Sequence, residues 1–412
     1  MAPVRSTLWQ QRARLTVAGL AGAYFALLLS LGGHARWTRL GVPNDARWFD
    51  DLRNVTSAWE CTRRGIPVLP TNPCDPDGAR PANYPRLWLL PSHLGLGQGD
   101  TFALGWAVLA LFLVAAVLVV PTGARVWTGV LHALALCSAA AMLGVERGNV
   151  DLALFALVVA AVLVAQGGVR RLAASGALVL LAAALKLFPI FAVGFVLRRG
   201  TRAALAVAAA VVLAFAAYLA AIHRELAQIL AALPQPDSYA FGLRRLSEWI
   251  GAATGDERHA ALVGWDVLVA ALVAAVAAGL ARARRRGPAG ATAQRDLDFF
   301  FAGACVYAGS YVAGRNYDYR LVFLLLCVPQ LARWLGARSA LAAVAVAGLL
   351  GAMWLDGYYD SATVRGWLDA WSRWTAAGAA AQPLPLAVVA QALLFASLAC
   401  LAALSARRPL RT

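Results

Sequence analysis

The sequence predicts an all-α polytopic membrane protein, a bundle of about 11–12 transmembrane segments, from three observations. Of its 412 residues, 61% are hydrophobic and 14% are charged, which would leave a soluble fold with far too much exposed apolar surface. Apolar runs long enough to cross about 30 Å of hydrocarbon recur along nearly the whole chain. These runs are continuous and rich in Leu, Ala and Val, whereas the strands of a membrane barrel alternate apolar and polar residues.

No polar stretch between the apolar segments is large enough for a separate soluble domain, so we expect residues 1–412 to form a single integral membrane domain. The first segment follows Arg5, Arg12 and Arg14 and is expected to remain as a signal anchor. The segments cover residues 15–33, 101–120, 126–144, 149–166, 172–197, 201–222, 261–281, 297–313, 320–335, 339–355 and 385–405.

The fifth segment, residues 172–197, decides the topology. If it crosses the membrane once, the basic residues at 198–202 and 282–286 fall outside, against the positive-inside rule. Lys186 and Pro189 interrupt it near its middle, where lysine is costly and proline removes a helix hydrogen bond. A bent pair of short helices that enters and returns keeps those basic residues in the cytoplasm. Eleven simple spans remain the alternative.

The distribution of charge predicts location and partners. A net charge of +16 suggests nucleic acid in a soluble protein, but here the arginines lie in short loops between apolar runs, where they set orientation. We therefore expect membrane lipids and no nucleic acid as partners. The Ala, Arg and Gly bias indicates a bacterial plasma membrane protein. The loops expected on the extracytoplasmic side are 34–100, which contains amphipathic runs typical of interfacial helices, and 223–260, 314–319 and 356–384.

The six cysteines divide into two groups. Four lie in apolar runs and are expected to be small core residues. These four are Cys137, Cys305, Cys327 and Cys400. Cys61 and Cys74 lie in the first polar loop and form a disulfide if that loop faces an oxidising compartment. No cysteine or histidine spacing resembles a zinc or haem site, so we expect no metal.

Two adjacent carboxylates, Asp50 and Asp51, open a run that places Leu52, Val55 and Trp59 on one helical face. A helix N-terminus attracts negative charge, so helix capping alone explains either aspartate. The functional alternative is a carboxylate that takes a proton from an attacking hydroxyl group. Position alone leaves both interpretations open.

A dense polar sequence lies between two apolar runs and needs no function if it is a short hairpin turn. It consists of Glu146, Arg147, Asn149 and Asp151. Lys186, the only lysine of the chain, differs, because an ammonium within a membrane segment is expensive without a counter-charge or a watery cavity. We expect its partner to be Asp151 or an anionic ligand such as a lipid phosphate.

A third polar group lies at an outward membrane edge. Planar hydrogen-bonding groups and aromatic faces are typical of sugar sites, and arginine binds phosphate through its bidentate fork. Anchoring at the interface is the alternative explanation. The group reads Gly314-Arg315-Asn316-Tyr317-Asp318-Tyr319-Arg320.

These motifs, in this order, resemble those of the polyprenol-phosphate-dependent glycosyltransferases of the GT-C superfamily, family 87 type, which includes mycobacterial mannosyltransferases. The resemblance covers most of the chain. It departs where relatives often carry Ser-x-Trp-x-His, because the stretch from Tyr311 to Arg320 contains no histidine, and where they carry Tyr-Pro-Pro. The matching motifs are Asp51-Leu52-Arg53 with Gly65-Ile66-Pro67, Tyr84-Pro85, Gly148-Asn149-Val150-Asp151 and Lys186-Leu187-Phe188-Pro189.

The resemblance implies a GT-C-like bundle that transfers a hexose, expected to be mannose, with inversion. The donor is a polyprenyl-phosphate-sugar, and the acceptor is a cell-envelope glycolipid or polysaccharide. Asp51 is the implied general base, Asp50 is its close competitor, and no cofactor is needed beyond the lipid-linked donor. The residues implied to bind the donor phosphate are Lys186, Arg315 and Arg320. Those implied to bind sugar or acceptor are Tyr84, Glu146, Asn149, Asp151, Asn316 and Asp318.

Two functions without chemistry remain open. In a transporter or flippase of a lipid-linked sugar or polar lipid, the same intramembrane charges mark a pathway. The third possibility is a noncatalytic subunit of an envelope complex.

Overall fold

Helices dominate the computed structural model, which describes residues 2–30, 37–38, 41–42, 47–232, 239–254, 294–313, 316–359 and 386–405. The α-helices are α1 (Ala2–Ser30), α2 (Asp50–Arg63), α3 (Thr101–Val119), α4 (Val126–Leu136), α5 (Ala139–Arg147), α6 (Asp151–Val164), α7 (Val169–Leu185), α8 (Gly194–Leu197), α9 (Arg202–Ala221), α10 (His223–Ala232), α11 (Leu243–Thr254), α12 (Gln294–Val312), α13 (Val328–Gly336), α14 (Ala340–Tyr359) and α15 (Leu386–Ser405). The 3-10 helices are Arg86–Leu94, Gln98–Asp100, Phe188–Val193 and Asp318–Cys327, and the strands are β1 (Ala240–Phe241) and β2 (Asn316–Tyr317).

The prediction of an all-α polytopic membrane protein is confirmed. Within the described residues, five helices are long and apolar enough to cross a membrane, or six if α4 and α5, bent by 55° at their break, form one span. The predicted segment 261–281 lies outside the described residues, and the total of 11–12 segments stays a prediction. The five helices are Leu8–Ser30, Gln98–Val119, Arg202–Ala221, Asp318–Gly336 and Ala387–Ser405.

Contacts divide the chain into two compact units, each assembled from separate stretches of sequence. The single domain over 1–412 therefore stays a prediction. Unit 1 comprises Met1–Asn44, Val119–Leu143 and Pro236–Thr412, and unit 2 comprises Asp45–Leu118 and Gly144–Gln235.

Unit 1 packs α1 against α4, α14 against α15, and α12 against the 3-10 helix Asp318–Cys327. Small residues allow close approach of the first pair, because a Cβ at Gly129 would lie 2.4 Å from the carbonyl oxygen of Ala13. β1 pairs antiparallel with β2, so that Ala240 lies opposite Tyr317 and Phe241 lies opposite Asn316. This pairing fixes the backbone position of the polar segment that begins at Asn316.

Unit 2 contains the break predicted within residues 172–197. α7 ends at Leu185, Lys186 is extended with φ −160° and ψ 117°, and a 3-10 helix follows. Pro189 has no N–H group to donate to the carbonyl of Leu185, so an α-helix cannot continue there. The break is confirmed at Lys186, and the return of the segment to its side of entry stays a prediction.

Two side chains satisfy carbonyl groups that the break leaves without helical partners. Trp88 Nε1 donates to the Leu185 oxygen at 2.8 Å, and the Tyr218 hydroxyl donates to the Ala184 oxygen at 2.9 Å. Carbonyls at a helix end need such donors where water is scarce. The 3-10 helix Arg86–Leu94 and α9 therefore supply the hydrogen-bond donors for the end of α7.

The first polar loop of unit 2 builds its own core around α2. Leu52, Val55 and Trp59 share the buried face predicted for them and pack with Phe49 and Val150. This confirms the amphipathic helix that follows the two aspartates.

The cysteines also follow the prediction. Cys61 and Cys74 are bonded, with their Cα atoms 5.7 Å apart. Among the others, Cys137, Cys327 and Cys400 are buried and Cys305 is partly buried, as expected for core residues.

Candidate active site

Three of the motifs found in the sequence meet within unit 2 through a chain of hydrogen bonds. Asn149 Nδ2 donates to Asp51 Oδ2 at 2.5 Å, and Asn149 Oδ1 accepts the backbone N–H of Asp151 at 2.9 Å. Lys186 Nζ then donates to Asp151 Oδ1 at 2.6 Å. Asp51, the Gly-Asn-Val-Asp sequence and Lys186 therefore form one connected polar site.

The backbone around Phe49 fixes the start of α2 against the second of these motifs. Phe49 is the N-cap residue, in the left-handed region at φ 61°, and its N–H donates to the Glu146 oxygen at 2.9 Å. Gly148 also has a positive φ, 57°, and a Cβ there would lie 2.9 Å from Phe49 Cβ. Only glycine fits this position without displacing the residue that precedes Asp50.

Helix capping by side chains does not account for the two aspartates. The N-cap residue is Phe49, and no side chain makes a capping hydrogen bond there. Asp50 and Asp51 lie in the first turn, where negative charge is favourable. Their carboxylates bind Arg80, Arg147 and Asn149 instead of backbone N–H groups.

Asp50 is held by two arginines. Arg80 Nη1 lies 2.5 Å and Arg147 Nη1 lies 3.2 Å from Asp50 Oδ2, and the residue is 5% exposed. Burial opposes ionisation, but the hydrogen bond and charge of Arg80, helped by Arg147, outweigh it, so the pKa of Asp50 is lowered. A carboxylate that is ionised and paired in this way is a weak base.

The pKa of Asp51, one residue further on, is shifted in the opposite direction. Burial raises the pKa of Asp51, the neighbouring charge of Asp50 adds to this, and Arg147 and Asn149 oppose it only in part. Arg147 Nη1 lies 3.9 Å from Asp51 Oδ1, and the Asp51 side chain is still 20% exposed. A reachable carboxylate with a raised pKa suits a general base better than its neighbour does.

The segment that carries Arg80 is fastened to α2. The Cys61–Cys74 disulfide joins them, and Asn72 Nδ2 donates to Ser57 Oγ at 3.0 Å. Arg80 Nε also binds Asp75 Oδ2 at 2.9 Å. These bonds hold the guanidinium against Asp50.

Lys186 has the counter-charge that its position requires. Asp151 is fully buried, whereas the Lys186 side chain is 15% exposed. The ammonium also lies 5.2 Å from the centroid of the Tyr84 ring, within cation–π range. Asp151, one of the two partners expected, is thus confirmed. A lipid phosphate as a further partner stays a prediction.

Three of the four residues predicted in the Arg315–Arg320 group lie in unit 1, and Arg315 itself lies outside the described residues. Asn316 Nδ2 donates to the Ser310 oxygen at 2.5 Å, and the Arg320 guanidinium donates to Asn316 Oδ1. Asp318 is 2% exposed, and its N–H donates to the Tyr239 oxygen at 2.8 Å. Their binding roles stay predictions.

The sequence did not predict two of the residues that contact the aspartates, Arg147 and Arg80. Arg147 was assigned only to a polar turn, whereas its neighbour Glu146 was predicted to bind sugar or acceptor. Glu146 is fully buried, and its Oε2 lies 3.4 Å from Arg147 Nε. Arg80 stands in a loop whose sequence carries no signal of its contact with Asp50. Within the described residues, no group of three or more His, Cys, Asp or Glu side chains is arranged to hold a metal ion.

Comparison with known proteins identifies the family to which this chain belongs. A model described as glycosyltransferase family 87 matches residues 88–308, more than half of the chain, including Asn149, Asp151 and Lys186. Comparisons with curated proteins and with solved structures give no match. The chain therefore belongs to glycosyltransferase family 87 and is a multi-pass membrane glycosyltransferase.

Proposed function

We propose that the protein transfers a hexose, mannose, from a polyprenyl-phosphate-sugar to a cell-envelope glycolipid or glycan. The transfer inverts the configuration at the anomeric carbon. The observation that carries this proposal is the connection of Asp51 to Lys186 through Asn149 and Asp151. It joins a carboxylate of raised pKa to a cation in one site. These are the two groups that such a transfer needs.

In this mechanism, Asp51 takes the proton of the acceptor hydroxyl as its oxygen bonds to the anomeric carbon of the donor sugar. The bond from that carbon to the phosphate oxygen breaks, and polyprenyl phosphate leaves with the electron pair. Lys186 stabilises the growing negative charge of the phosphate. Asp50 remains ionised beside Arg80 and holds the first turn of α2 in place.

We propose that the site faces the extracytoplasmic side of a bacterial plasma membrane. The Cys61–Cys74 disulfide supports this orientation, because disulfides persist in oxidising compartments. Arg315 and Arg320 are proposed to bind the donor phosphate, and Asn316 and Asp318 are proposed to bind the sugar or the acceptor. Their support is the combination of guanidinium, amide and stacked Tyr317 and Tyr319 rings in one segment.

The test is turnover by purified protein in lipid nanodiscs with polyprenyl-phosphate-mannose and an envelope glycolipid extract. Asp51→Asn is expected to remain folded and to release polyprenyl phosphate about 10²–10⁴-fold more slowly than the wild type. Glu60→Gln is the control, since Glu60 lies on the same helix and pairs with exposed Arg63 and Arg64. If the wild type forms no glycosylated product while it moves the lipid across the membrane, a transporter replaces the enzyme.

A further inference from the structure

A pocket in unit 2, with a volume of about 620 Å³, is lined by neither of the two aspartates. Its walls come from the end of α2, from residues 67–69, from the 3-10 helix Arg86–Leu94 and from α10. We propose that this pocket binds the anionic headgroup of a lipid-linked acceptor. The inference rests on the proposed function and specifies the acceptor class that the same enzyme takes.

The charged lining of the pocket favours an anion. Two arginines, Arg86 and Arg224, and a single carboxylate, Glu225, are among the residues that line it. Glu225 is 9% exposed and accepts the Arg86 backbone N–H at 2.7 Å as well as the Arg86 Nε–H. The carboxylate is therefore already engaged, and one positive charge remains in excess. Arg224, exposed on the first turn of α10, presents a guanidinium that suits phosphate or carboxylate.

Much of the pocket lining is apolar. Leu69, Leu89 and Leu90 line it together with Val68. At its rim, Leu90 is 59% exposed and Leu94, on the same 3-10 helix, is 79% exposed. In a membrane protein, exposed leucines of this kind face acyl chains more favourably than water. A ligand with an anionic head and an apolar tail matches this combination of charged and apolar lining.

Tyr84 connects the pocket to the catalytic residues. It lines the pocket, its ring lies 6.0 Å from that of Trp88, and the Lys186 ammonium lies 5.2 Å from its centroid. Tyr84 is therefore shared by the pocket and by the surroundings of the Lys186–Asp151 pair. Fixing the headgroup there limits the motion of the acceptor beside the site of transfer.

The experiment measures binding by the full chain in nanodiscs of zwitterionic lipid. The probes are decyl glucoside 6-phosphate, uncharged decyl glucoside and soluble glucose 6-phosphate, and the readout is isothermal titration calorimetry. Arg224→Gln is expected to weaken binding of the phosphorylated amphiphile about tenfold, as for loss of one charge-assisted hydrogen bond, and to leave the uncharged amphiphile unaffected. The matched control is Arg202→Gln, another exposed arginine in the first turn of a unit 2 helix, which is expected to change nothing.

Four results would overturn the inference. The first two are that Arg224→Gln and Arg202→Gln weaken binding equally, or that Arg224→Gln weakens binding of the uncharged and the phosphorylated amphiphile equally. The other two are that glucose 6-phosphate binds as tightly as the phosphorylated amphiphile, or that polyprenyl phosphate displaces that amphiphile. The last would assign the pocket to the donor. Asp51→Asn is expected to bind the amphiphile like the wild type, so a failure of the pocket and a failure of the transferase chemistry give different results.

Discussion

Asn149 Nδ2 donates a 2.5 Å hydrogen bond to Oδ2 of Asp51, a residue 98 positions earlier in the chain. The same amide accepts the backbone N–H of Asp151 through Oδ1 at 2.9 Å, which determines the direction in which its NH2 group points. Asn149 therefore orients the carboxylate of the proposed base. It also joins the start of α2 to the start of α6, which carries the partner of Lys186.

The pH dependence of transfer should report the ionisation of Asp51. The base acts when ionised, so a raised pKa places the acidic limb of kcat/KM above the range in which an ordinary aspartate titrates. Arg147 lowers that pKa through its charge, so Arg147→Gln is expected to raise it further and to move the limb to higher pH. Arg63→Gln on α2 is the control and should leave the limb in place. A limb that does not respond to Arg147→Gln would contradict the assignment of Asp51 as base.

The Lys186–Asp151 pair predicts strong coupling between two substitutions. Asp151→Asn removes the carboxylate that lies 2.6 Å from the ammonium, and Lys186→Met removes that cation from a fully buried carboxylate, so each should cost about 3–5 kcal/mol. The double variant removes both charges and should recover most of the thermal stability. It should remain inactive, because the ammonium proposed to hold the phosphate is gone. Additive losses in the double variant would show that the pair is not coupled.

Gly148→Ala should harm both stability and transfer, because the new Cβ meets Phe49 at 2.9 Å. Gly95 is the matched control, since its φ is also positive, 80°, but nothing lies within 4 Å of an added Cβ. Alanine costs about 1–2 kcal/mol in this backbone region at either site. The thermal unfolding midpoint and the rate of transfer should fall further for Gly148→Ala than for Gly95→Ala. Equal effects would argue against Phe49 as the support of Asp50 and Asp51.

Loss of the Cys61–Cys74 disulfide should loosen the segment that holds Arg80. The two cysteines are 13 positions apart, and a cross-link over a loop of this size contributes about 3 kcal/mol through the entropy of the unfolded chain. Peptide mapping without reduction should find the two peptides joined. The Cys61→Ser/Cys74→Ser variant should unfold at a lower temperature and become insensitive to reductant. Alkylation of both cysteines without prior reduction would contradict the bond.

Much of the fold was predictable because a bilayer restricts the choices. Long apolar runs must form helices, since backbone groups in hydrocarbon need internal partners. The interruption at Lys186 and Pro189 was visible for the same reason, and the structure ends α7 at Leu185. The carbonyl partners Trp88 and Tyr218 were not predictable, because they come from distant parts of the chain.

By itself, the sequence determined the membrane class, the break within residues 172–197 and the need of Lys186 for a counter-charge, since each follows from local composition and the cost of charge in hydrocarbon. The family resemblance favoured Asp51 over Asp50 as the base, but the local context that two neighbours in sequence share gave no physical reason for that choice. The tertiary structure supplies a physical difference between them, by bringing Arg80 and Arg147 from 30 and 97 positions away to Asp50. Electrostatic energy depends on distances in space, so folding decides that the pKa of Asp50 is lowered and that of Asp51 is raised.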